Sequence, residues 1–411
     1  MEPRHFRVFL VDQAVGTLDE QADGRLAFRM DEAYLALARR PVLSQSFEDD
    51  LRRTYWGKRP GELPSYFSNL LPEGRFRRVV EESLQDREDG DLGLLVALGS
   101  DLPGAVVLSQ TDDPAPVMES SLEDVDEEST EREQLGFRFS LAGVQLKFSM
   151  VRVEGRLTLP AHGQGGDWIV KVGTHEFPGL AENEFSMLEW ARAVGFEVPQ
   201  CDLHAVSDLG LAKYAPLGSK ALAIRRYDRA SGRRVHQEDF MQVYGRAADR
   251  EGKQKYNGSF EELARVVLGL LGEPGYEELI RRCALTVAIG NHDAHLKNWS
   301  LLYREPVRPI LAPVYDQVAT VAWAGLDRTL ALKLAGARDF GRVGIDSFAR
   351  LARKVGTNET RTRELVSQTL TALGDYWRGQ SSELPIQQEH RAAIREHWDV
   401  VPLLRPFGPL A

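Results

Sequence analysis

Alternating apolar and polar residues open the chain and predict a small α+β unit over residues 1–110. Residues 5–11 and 24–29 have the period of two expected of strands with one buried face. An apolar stretch at 91–99 is typical of a buried helix, and residues 103–108 form a closing strand signal. The pattern therefore predicts that the first two strands pair across a polar turn, with a helix and a third strand completing the unit.

Farther along the chain the pattern changes from strands to helices. Strand signals recur at 146–153, 156–159, 167–172, 210–214 and 221–227, with a helical period at 182–194 between them. Long helical periods then follow at 260–271, 276–289, 346–354 and 359–378. This order predicts an α+β protein in which a strand-rich lobe at 137–235 precedes a mostly helical lobe at 236–411. A cleft between the two lobes is the expected place for a site.

Charge separates the first unit from the two lobes. The chain of 411 residues has a net charge of -10, yet residues 112–134 hold ten acidic residues and one basic residue, which accounts for nine of those charges. A stretch with so few large apolar groups cannot offset the entropy of ordering, so residues 111–136 are predicted to be a disordered linker. The rest of the chain is nearly neutral, and the totals do not indicate a nucleic-acid-binding surface.

Cysteine usage and the first residues point to a cytoplasmic protein. Cys201 and Cys283 are the only cysteines, and neither lies in a metal-binding spacing or a disulfide framework. The opening residues lack the pattern of a signal peptide, and no apolar run reaches the length of about 18 residues that a membrane span needs. We therefore expect no membrane association.

The segment at 290–298 is the most informative about chemistry. Asp293 is followed five positions later by Asn298, and a further acidic residue, Asp316, follows downstream. Protein kinases use such a set to move a phosphoryl group from ATP to a hydroxyl: the first aspartate accepts the hydroxyl proton, and the other two hold magnesium. The alternative is an ordinary turn, because Asp and Asn favour helix ends and loops.

Lys171 lies in an apolar strand and is followed by acidic residues at the start of the next helix. A lysine there can bridge ATP phosphates when a carboxylate such as Glu184 holds it in place. The competing interpretations are a solvent-facing strand lysine and a glutamate that complements the helix dipole.

Two further segments have weaker signals. Residues 139–147 form a loop of small side chains with one glycine, which would let backbone N–H groups approach phosphates. Five arginines cluster within residues 221–235: Arg225, Arg226, Arg229, Arg233 and Arg234. We interpret the cluster as a solvated hairpin, with a surface that faces a polyanion as the alternative.

Seven separated blocks resemble the HipA family, the serine/threonine kinase toxins of bacterial type II toxin–antitoxin systems. The blocks are FSNLLPEG at 67–74, SLAGVQLK at 140–147, IVK at 169–171, GLAENE at 179–184, RYDR at 226–229, GNHDAHLKN at 290–298 and PVYD at 313–316. They occur in the order of the family and span most of the chain. The resemblance implies a two-lobed, protein-kinase-like fold with a small N-terminal subdomain.

The resemblance also assigns roles by position. Asp293 would be the catalytic base, Asn298 and Asp316 would bind Mg²⁺, Glu184 would support Lys171, and Ser140 would be autophosphorylated and thereby silence the enzyme. Adding a phosphate charge beside an incoming triphosphate makes such silencing physically reasonable. Contacts to ATP would come from the phosphate loop, the hinge and the catalytic segments: Ala142, Gly143, Val144, Gln145, Leu146, Lys147, Lys171, Arg225, Arg226, Tyr227, His295, Lys297, Asn298, Tyr315 and Asp316.

The implied partners are a protein substrate, such as an aminoacyl-tRNA synthetase or another translation component, and a helix-turn-helix antitoxin. Some relatives touch operator DNA with lysines that follow the segment matching 332–334. Here Arg338 and Arg342 are interleaved with Asp339, so we expect DNA contact only through the antitoxin.

Two other functions stay open at this point. The chain could be a catalytically silent kinase fold that acts as a co-repressor with its antitoxin, and phosphate on Ser140 would discriminate against that alternative. It could also be a small-molecule kinase, since antibiotic and choline kinases share the aspartate–asparagine spacing. The N-terminal unit and the Ser140 loop favour the toxin family.

Overall fold

The computed structural model describes residues 4–72, 77, 90–111, 146–153, 156–158, 165–211, 218–230, 232–247, 253–326 and 328–410. The predicted linker at 111–136, except Thr111, lies outside these ranges, and so do Ser140, Ala142, Gly143, Val144 and Gln145. Among the helices within the described ranges, none has an apolar stretch that could span a bilayer.

A five-stranded antiparallel sheet organises the N-terminal unit. Its strands are β1 (His5–Leu10), β2 (Gln13–Glu20), β3 (Leu26–Met30), β4 (Tyr55–Trp56) and β5 (Val106–Thr111), in the spatial order β4-β3-β2-β1-β5. Phe6, Val8 and Leu10 face the core in the predicted alternation. The predicted pairing of the first two strand segments was wrong, because β2 lies between β1 and β3 and pairs with both.

The same unit contains three helices: α1 (Glu32–Leu35), α2 (Ser65–Ser68) and α3 (Gly90–Leu98). The third confirms the helix predicted at 91–99. Phe28, Phe47 and Phe67 form an aromatic centre, with ring centroids 5.6 Å apart for Phe28 and Phe47 and 5.0 Å apart for Phe28 and Phe67. The apolar core of this unit is continuous with that of the strand-rich lobe, since the cluster also includes Phe148, Trp168 and Val170.

A second five-stranded sheet forms the strand-rich lobe. It contains β6 (Lys147–Val153), β7 (Arg156–Thr158), β8 (Trp168–Val172), β9 (Cys201–Ala205) and β10 (Lys220–Arg225), in the order β7-β6-β8-β10-β9. Helix α4 (Leu180–Ala193) packs against β10 and β9, as its predicted apolar period requires. The strand predicted at 210–214 was wrong at its start, because Gly210 has a φ of 68° and ends a 3-10 turn. The edge strand β9 was not predicted.

The C-terminal lobe is mostly helical. Two short strands precede it, β11 (Arg229–Ala230) and β12 (Arg233–Arg234). Five more lie within it: β13 (His236–Asp239), β14 (Ser300–Tyr303), β15 (Ile310–Leu311), β16 (Thr329–Leu334) and β17 (Ala337–Asp339). Its helices are α5 (Phe240–Val243), α6 (Phe260–Ile289), α7 (Ile345–Val355), α8 (Glu359–Gln380) and α9 (Gln388–Val400). Helix α6 breaks at Gly272, which has φ 68° and ψ -166°, so the two helices predicted there are both present. Helix α9 was not predicted.

Buried charges join the N-terminal unit to the rest of the protein. The Arg226 guanidinium lies 2.6 Å from an Asp101 carboxylate oxygen and 2.7 Å from Asp228, with side-chain exposures of 1%, 0% and 5%. Arg229 contacts the same two carboxylates. The interpretation of the arginine cluster as a solvated hairpin was therefore wrong for Arg226 and Arg229, because neighbouring Asp228 and distant Asp101 neutralise them in the interior.

A second polar contact ties the same unit to the helical lobe. Glu238 on β13 is fully buried and accepts hydrogen bonds from the Ser44 hydroxyl at 2.6 Å and the Tyr303 hydroxyl at 2.5 Å. Burial raises the pKa of this carboxyl to about 7. The N-terminal unit is thus joined to both lobes through groups that water does not reach.

Candidate functional site

The 290–298 segment is held between a buried helix and a buried strand. The last two turns of α6 are apolar and fully enclosed, Gly290 ends the helix in the left-handed region, and β14 follows directly. Within the loop, the Asp293 N–H donates to the Asn291 side-chain oxygen at 2.9 Å, and the His295 N–H donates to the Asp293 carbonyl at 2.7 Å. These contacts fix the backbone of Asp293.

Gly290, the first residue of the 290–298 loop, has no room for a side chain. Its φ is 68°, and a Cβ added there would lie 2.6 Å and 2.7 Å from the two Val321 methyl carbons. Gly290→Ala should therefore lower the free energy of unfolding by about 2 to 4 kcal/mol, the sum of left-handed strain and overpacking, and should reduce activity by displacing Asp293. Urea denaturation checks the loss of stability.

Gly269→Ala is the matched control for this substitution. Gly269 lies on the same helix and has open space where its Cβ would be, so alanine should be neutral or stabilise by up to about 1 kcal/mol. Adding Val321→Ala to Gly290→Ala should restore part of the lost stability. Equal effects at both glycines would contradict the steric explanation.

Asp316 and Asn298 meet at the floor of the cleft. The Asn298 amide N–H donates to Asp316 Oδ2 at 2.5 Å, so the two side chains are in contact, and the other polar atom of the same amide is the Asn298 side-chain oxygen. That oxygen is buried and accepts no hydrogen bond from the described residues. Asp316 has a φ of 55°, and such strained non-glycine residues are concentrated at functional sites. A buried amide oxygen beside a carboxylate fits a hard cation such as Mg²⁺, which takes its remaining ligands from water and phosphate.

Lys171 lies between two carboxylates. Its ammonium is 2.5 Å from Glu184 Oε1 and 2.6 Å from Asp316 Oδ1, and the side chains of Lys171 and Glu184 are 4% and 1% exposed. Burial alone would disfavour the ammonium, but the two carboxylates outweigh it and raise the pKa of Lys171 above its ordinary value. Burial likewise opposes the Asp316 carboxylate, yet Lys171 and Lys147 lower its pKa well below the usual range. The charged forms of both residues are therefore favoured at neutral pH.

Lys147 is the second cation of the strand-rich lobe. It pairs with Lys171 across β6 and β8, and its side chain is buried. Burial and repulsion from Lys171 lower the pKa of Lys147 to about 8. A triphosphate next to this pair would favour its protonated form.

The predicted hinge residues are Arg225, Arg226 and Tyr227, and they differ in whether their side chains are available to the cleft. Tyr227 packs against Tyr315 with ring centroids 5.6 Å apart, and the Tyr315 hydroxyl donates to the Lys297 carbonyl at 2.8 Å. Arg225 is exposed at the rim, whereas the Arg226 guanidinium is committed to its buried carboxylates. The Arg226 backbone N–H also donates to the Asp167 carbonyl at 2.8 Å, so this residue holds the hinge in place.

Lys297 is positioned by two residues that the sequence analysis did not assign. Its ammonium donates to the Asn69 carbonyl at 2.9 Å and lies 3.3 Å from Asp239. Asn69 belongs to the N-terminal unit, so that unit contributes directly to the cleft. Asn69 lies in the block at 67–74, which is one of the seven segments that carry the family resemblance. His295 lies nearby, and burial lowers its pKa well below the ordinary value, which keeps the imidazole neutral.

Two cavities meet at Lys147, His295 and Asp316, and together they form one cleft. The first is lined by the hinge and by Lys171, Lys297 and Tyr315. The second is lined by Asp293 together with Glu184, Lys255, Tyr256, His292, Phe177 and Trp323. Asp293 lines only the second cavity, so Lys147, His295 and Asp316 lie between it and the hinge. An acceptor hydroxyl would approach Asp293 through this second cavity.

The structure thus brings together twelve of the predicted site residues. Asp293 lies at one end of the cleft, and the other eleven line or support the rest of it: Lys147, Lys171, Glu184, Arg225, Arg226, Tyr227, His295, Lys297, Asn298, Tyr315 and Asp316. Leu146 is buried at the start of β6. The remaining loop residues at 140 and 142–145 lie outside the described part of the chain.

Comparisons with known proteins identify the family. The HipA N-terminal domain matches residues 6–109, and the HipA-like C-terminal domain matches residues 139–377. Two Sinorhizobium fredii proteins, both provisionally named kinases, are similar over nearly their whole length. Y4dM is 36% identical over 98% of each chain, and Y4mE is 28% identical over 91% of this chain and 92% of its own.

A solved structure has the same fold. A chain of the Shewanella oneidensis MR-1 toxin–antitoxin complex of HipA, HipB and operator DNA gives a TM-score of 0.69 at 19% identity, covering 95% of this chain and 94% of that chain. The predicted α+β, two-lobed, kinase-like architecture with an N-terminal subdomain is confirmed. With the domain matches and the full-length similarity to Y4dM, these findings show that the chain belongs to the HipA family.

Proposed function

We propose that this protein is an ATP- and Mg²⁺-dependent serine/threonine protein kinase and the toxin of a HipA-type toxin–antitoxin system. The observation that carries the proposal is the charged centre of the cleft, where Lys171 bridges Glu184 and Asp316 while Asn298 contacts the same aspartate. Phosphoryl transfer depends on positioning and on offsetting charge, and these groups are arranged for both.

Each residue has a defined part in the proposed reaction. The hinge and Tyr315 would receive the adenine end of ATP, and the cations Lys147, Lys171 and Lys297 would lie along its phosphates. Asn298 and Asp316 would hold Mg²⁺, which would supply charge neutralisation at the phosphates. Asp293 is on the opposite side of these groups, where it can orient an acceptor hydroxyl.

The transfer step then balances as follows. The acceptor oxygen bonds to the γ-phosphorus while its proton passes to the Asp293 carboxylate. The bond between the γ-phosphorus and the bridging oxygen breaks, and ADP leaves with the electron pair of that bond. Burial raises the pKa of Asp293, which makes it a better proton acceptor than an exposed aspartate.

Two features support the toxin role over the alternatives. A catalytically silent co-repressor would have no need of the complete set of Lys171, Asp293, Asn298 and Asp316. A small-molecule kinase would not need the N-terminal unit, which here supplies Asn69 to the cleft. The structural neighbour comes from a complex of HipA with HipB and operator DNA, and this similarity supports an antitoxin as the partner. The antitoxin would then make the contacts with DNA.

The side chain of Arg338 is consistent with indirect DNA contact. It donates to the Tyr256 carbonyl at 2.6 Å and to the Leu330 carbonyl at 3.3 Å, so its guanidinium is engaged by the protein's own backbone. Phosphate-binding arginines must present their donors outward.

Ser140 provides the test of the proposal. The purified protein incubated with γ-labelled ATP and Mg²⁺ should label itself, with the phosphate mapped to Ser140 by mass spectrometry. Ser140→Ala should remove most of the label, because the acceptor hydroxyl is gone. Ser207→Ala, at an exposed serine far along the chain, should leave the label unchanged. A wild-type protein that transfers no phosphate to itself or to any protein would overturn the assignment.

A further inference from the structure

Tyr256 contacts the proposed catalytic base from outside the 290–298 loop. Its phenol donates a hydrogen bond to Asp293 Oδ1, across 37 positions of sequence. The tyrosine ends a short 3-10 turn, Gln254–Tyr256, just before α6 begins. It also lines the same cavity as Asp293, on the side where an acceptor would enter.

The tyrosine is held on two sides. The Arg338 guanidinium donates to the Tyr256 carbonyl at 2.6 Å and also binds carbonyls of β16, which anchors the turn to the helical lobe. The Tyr256 ring meets the His295 ring edge to face, with centroids 5.2 Å apart at 86°. His295 is itself buried beside the charged centre. The phenol is therefore preorganised by Arg338, which binds the backbone of the turn, and by the His295 ring, while the Asp293 backbone is fixed separately by the N–H of His295.

Hydrogen bonding by a neutral phenol favours the charged form of a carboxylate. Burial raises the pKa of Asp293, while the Tyr256 hydrogen bond and the Lys255 ammonium act in the opposite direction. The titratable and charged groups that face Asp293 are the following: Tyr256 and Lys255 on the 3-10 turn, Lys147 on β6, Asp316 after β15, and His292 and His295 on its own loop.

We propose that Tyr256 is a positioning residue for phosphoryl transfer: its phenol occupies one oxygen of Asp293 and thereby directs the other oxygen to the acceptor hydroxyl. This inference rests on the proposed kinase function. A carboxylate with one oxygen bound cannot rotate without breaking that bond, so the acceptor meets a single orientation. Holding a base in one geometry contributes to rate in the transition state and little to ATP binding.

Tyr256→Phe tests this role, because it removes the hydroxyl and keeps the ring against His295. We expect kcat to fall about tenfold with KM for ATP unchanged, and the acidic limb of the kcat–pH profile to move up by about one pH unit. The limb moves up because loss of the hydrogen bond raises the pKa of the base, which must be deprotonated to accept the proton.

Tyr244→Phe is the matched control. The Tyr244 hydroxyl is buried in the same lobe and has no hydrogen-bond partner among the described residues, so its loss should leave kcat and the pH profile unchanged. An unaltered profile in Tyr256→Phe would overturn the proposal. An increase in kcat would also overturn it, since the phenol would then be an obstacle to the acceptor.

A second measurement does not depend on activity. The carboxyl carbon resonance of Asp293, assigned by comparison with Asp293→Asn in protein labelled at aspartate, can be titrated without nucleotide. In Tyr256→Phe the midpoint should lie about one pH unit above that of the wild type. Identical midpoints would refute the contact on which the role depends. A wild-type protein that transfers no phosphate would instead refute the kinase proposal, and the titration would still decide whether Tyr256 acts on Asp293.

Discussion

Asp293→Asn should reduce phosphoryl transfer by about three orders of magnitude and leave ATP affinity within about twofold of the wild type. The amide has the same shape as the carboxylate and can still accept the Tyr256 hydrogen bond, but it cannot take the proton of the acceptor hydroxyl. Asp293 lines the acceptor side of the cleft and not the hinge side, so nucleotide contacts are preserved. Transfer from labelled ATP measures the first effect, and calorimetric titration with ATP measures the second.

Asp208→Asn is a matched control for this substitution. Asp208 is exposed at a 3-10 turn of the strand-rich lobe, and the same loss of one charge there should leave both quantities unchanged. Full transfer activity in Asp293→Asn would refute its role as base. A loss of ATP binding equal to the loss of transfer would show that the residue acts on the nucleotide instead.

Arg226→Met should lower the free energy of unfolding by about 3 to 5 kcal/mol, the cost of removing one partner from a buried ionic network. Asp101 and Asp228 would remain enclosed, with Arg229 as their nearest cation. The substitution keeps most of the side-chain volume, so the lost stability arises from charge and not from a cavity. The midpoint of urea unfolding, followed by tryptophan fluorescence, measures the change.

Arg233→Met provides the comparison in the same hairpin. Arg233 is exposed, and substitutions at exposed positions usually change stability by less than about 0.5 kcal/mol. Adding Asp101→Asn to Arg226→Met should recover part of the loss, because it removes one of the carboxylates left without its partner. If Arg226→Met and Arg233→Met have equal midpoints, the buried network does not stabilise the protein.

Local patterns predicted those parts of the fold whose burial has a simple period. Strand β1 exposes every second residue partly to solvent, so its alternation is visible. Strand β2 buries five consecutive residues, including Thr17 and Asp19, and its polar residues on both faces conceal the period of two. Helix α9 carries many charged residues beside its buried positions, which weakens its apolar period, and the last predicted helix therefore ended at residue 378.

The site was predictable where its residues follow one another closely. Asp293, Lys297 and Asn298 lie on one loop, and their spacing carries a known chemical logic. Tyr256 reaches Asp293 from 37 positions away, and Asn69 reaches Lys297 from 228 positions away. Asn69 lies in a block that carries the family resemblance, but the local sequence of neither residue indicates which side chain of the cleft it will contact.

The interpretation of the arginine cluster as a solvated hairpin was wrong for a similar reason. The charges of the cluster suggested solvent because Asp228 alone cannot offset the arginines, and the second carboxylate that Arg226 contacts, Asp101, lies 125 positions earlier in the chain. Local composition cannot reveal such a partner, and only the three-dimensional arrangement shows that the guanidinium is enclosed.

That enclosed network has a consequence for how the protein melts. An acidic segment between residue 112 and the first strand of the next lobe suggests two modules that could denature independently. The shared apolar core and the Arg226 and Glu238 contacts oppose this. Opening the N-terminal unit alone would expose apolar side chains that it buries with the strand-rich lobe and would break the polar contacts that cross between them. We expect a single endotherm in differential scanning calorimetry, and ATP bound in the cleft should raise the melting temperature of the N-terminal sheet along with that of the lobes. A single endotherm would mean that the covalent linker does not mark a thermodynamic boundary in this chain.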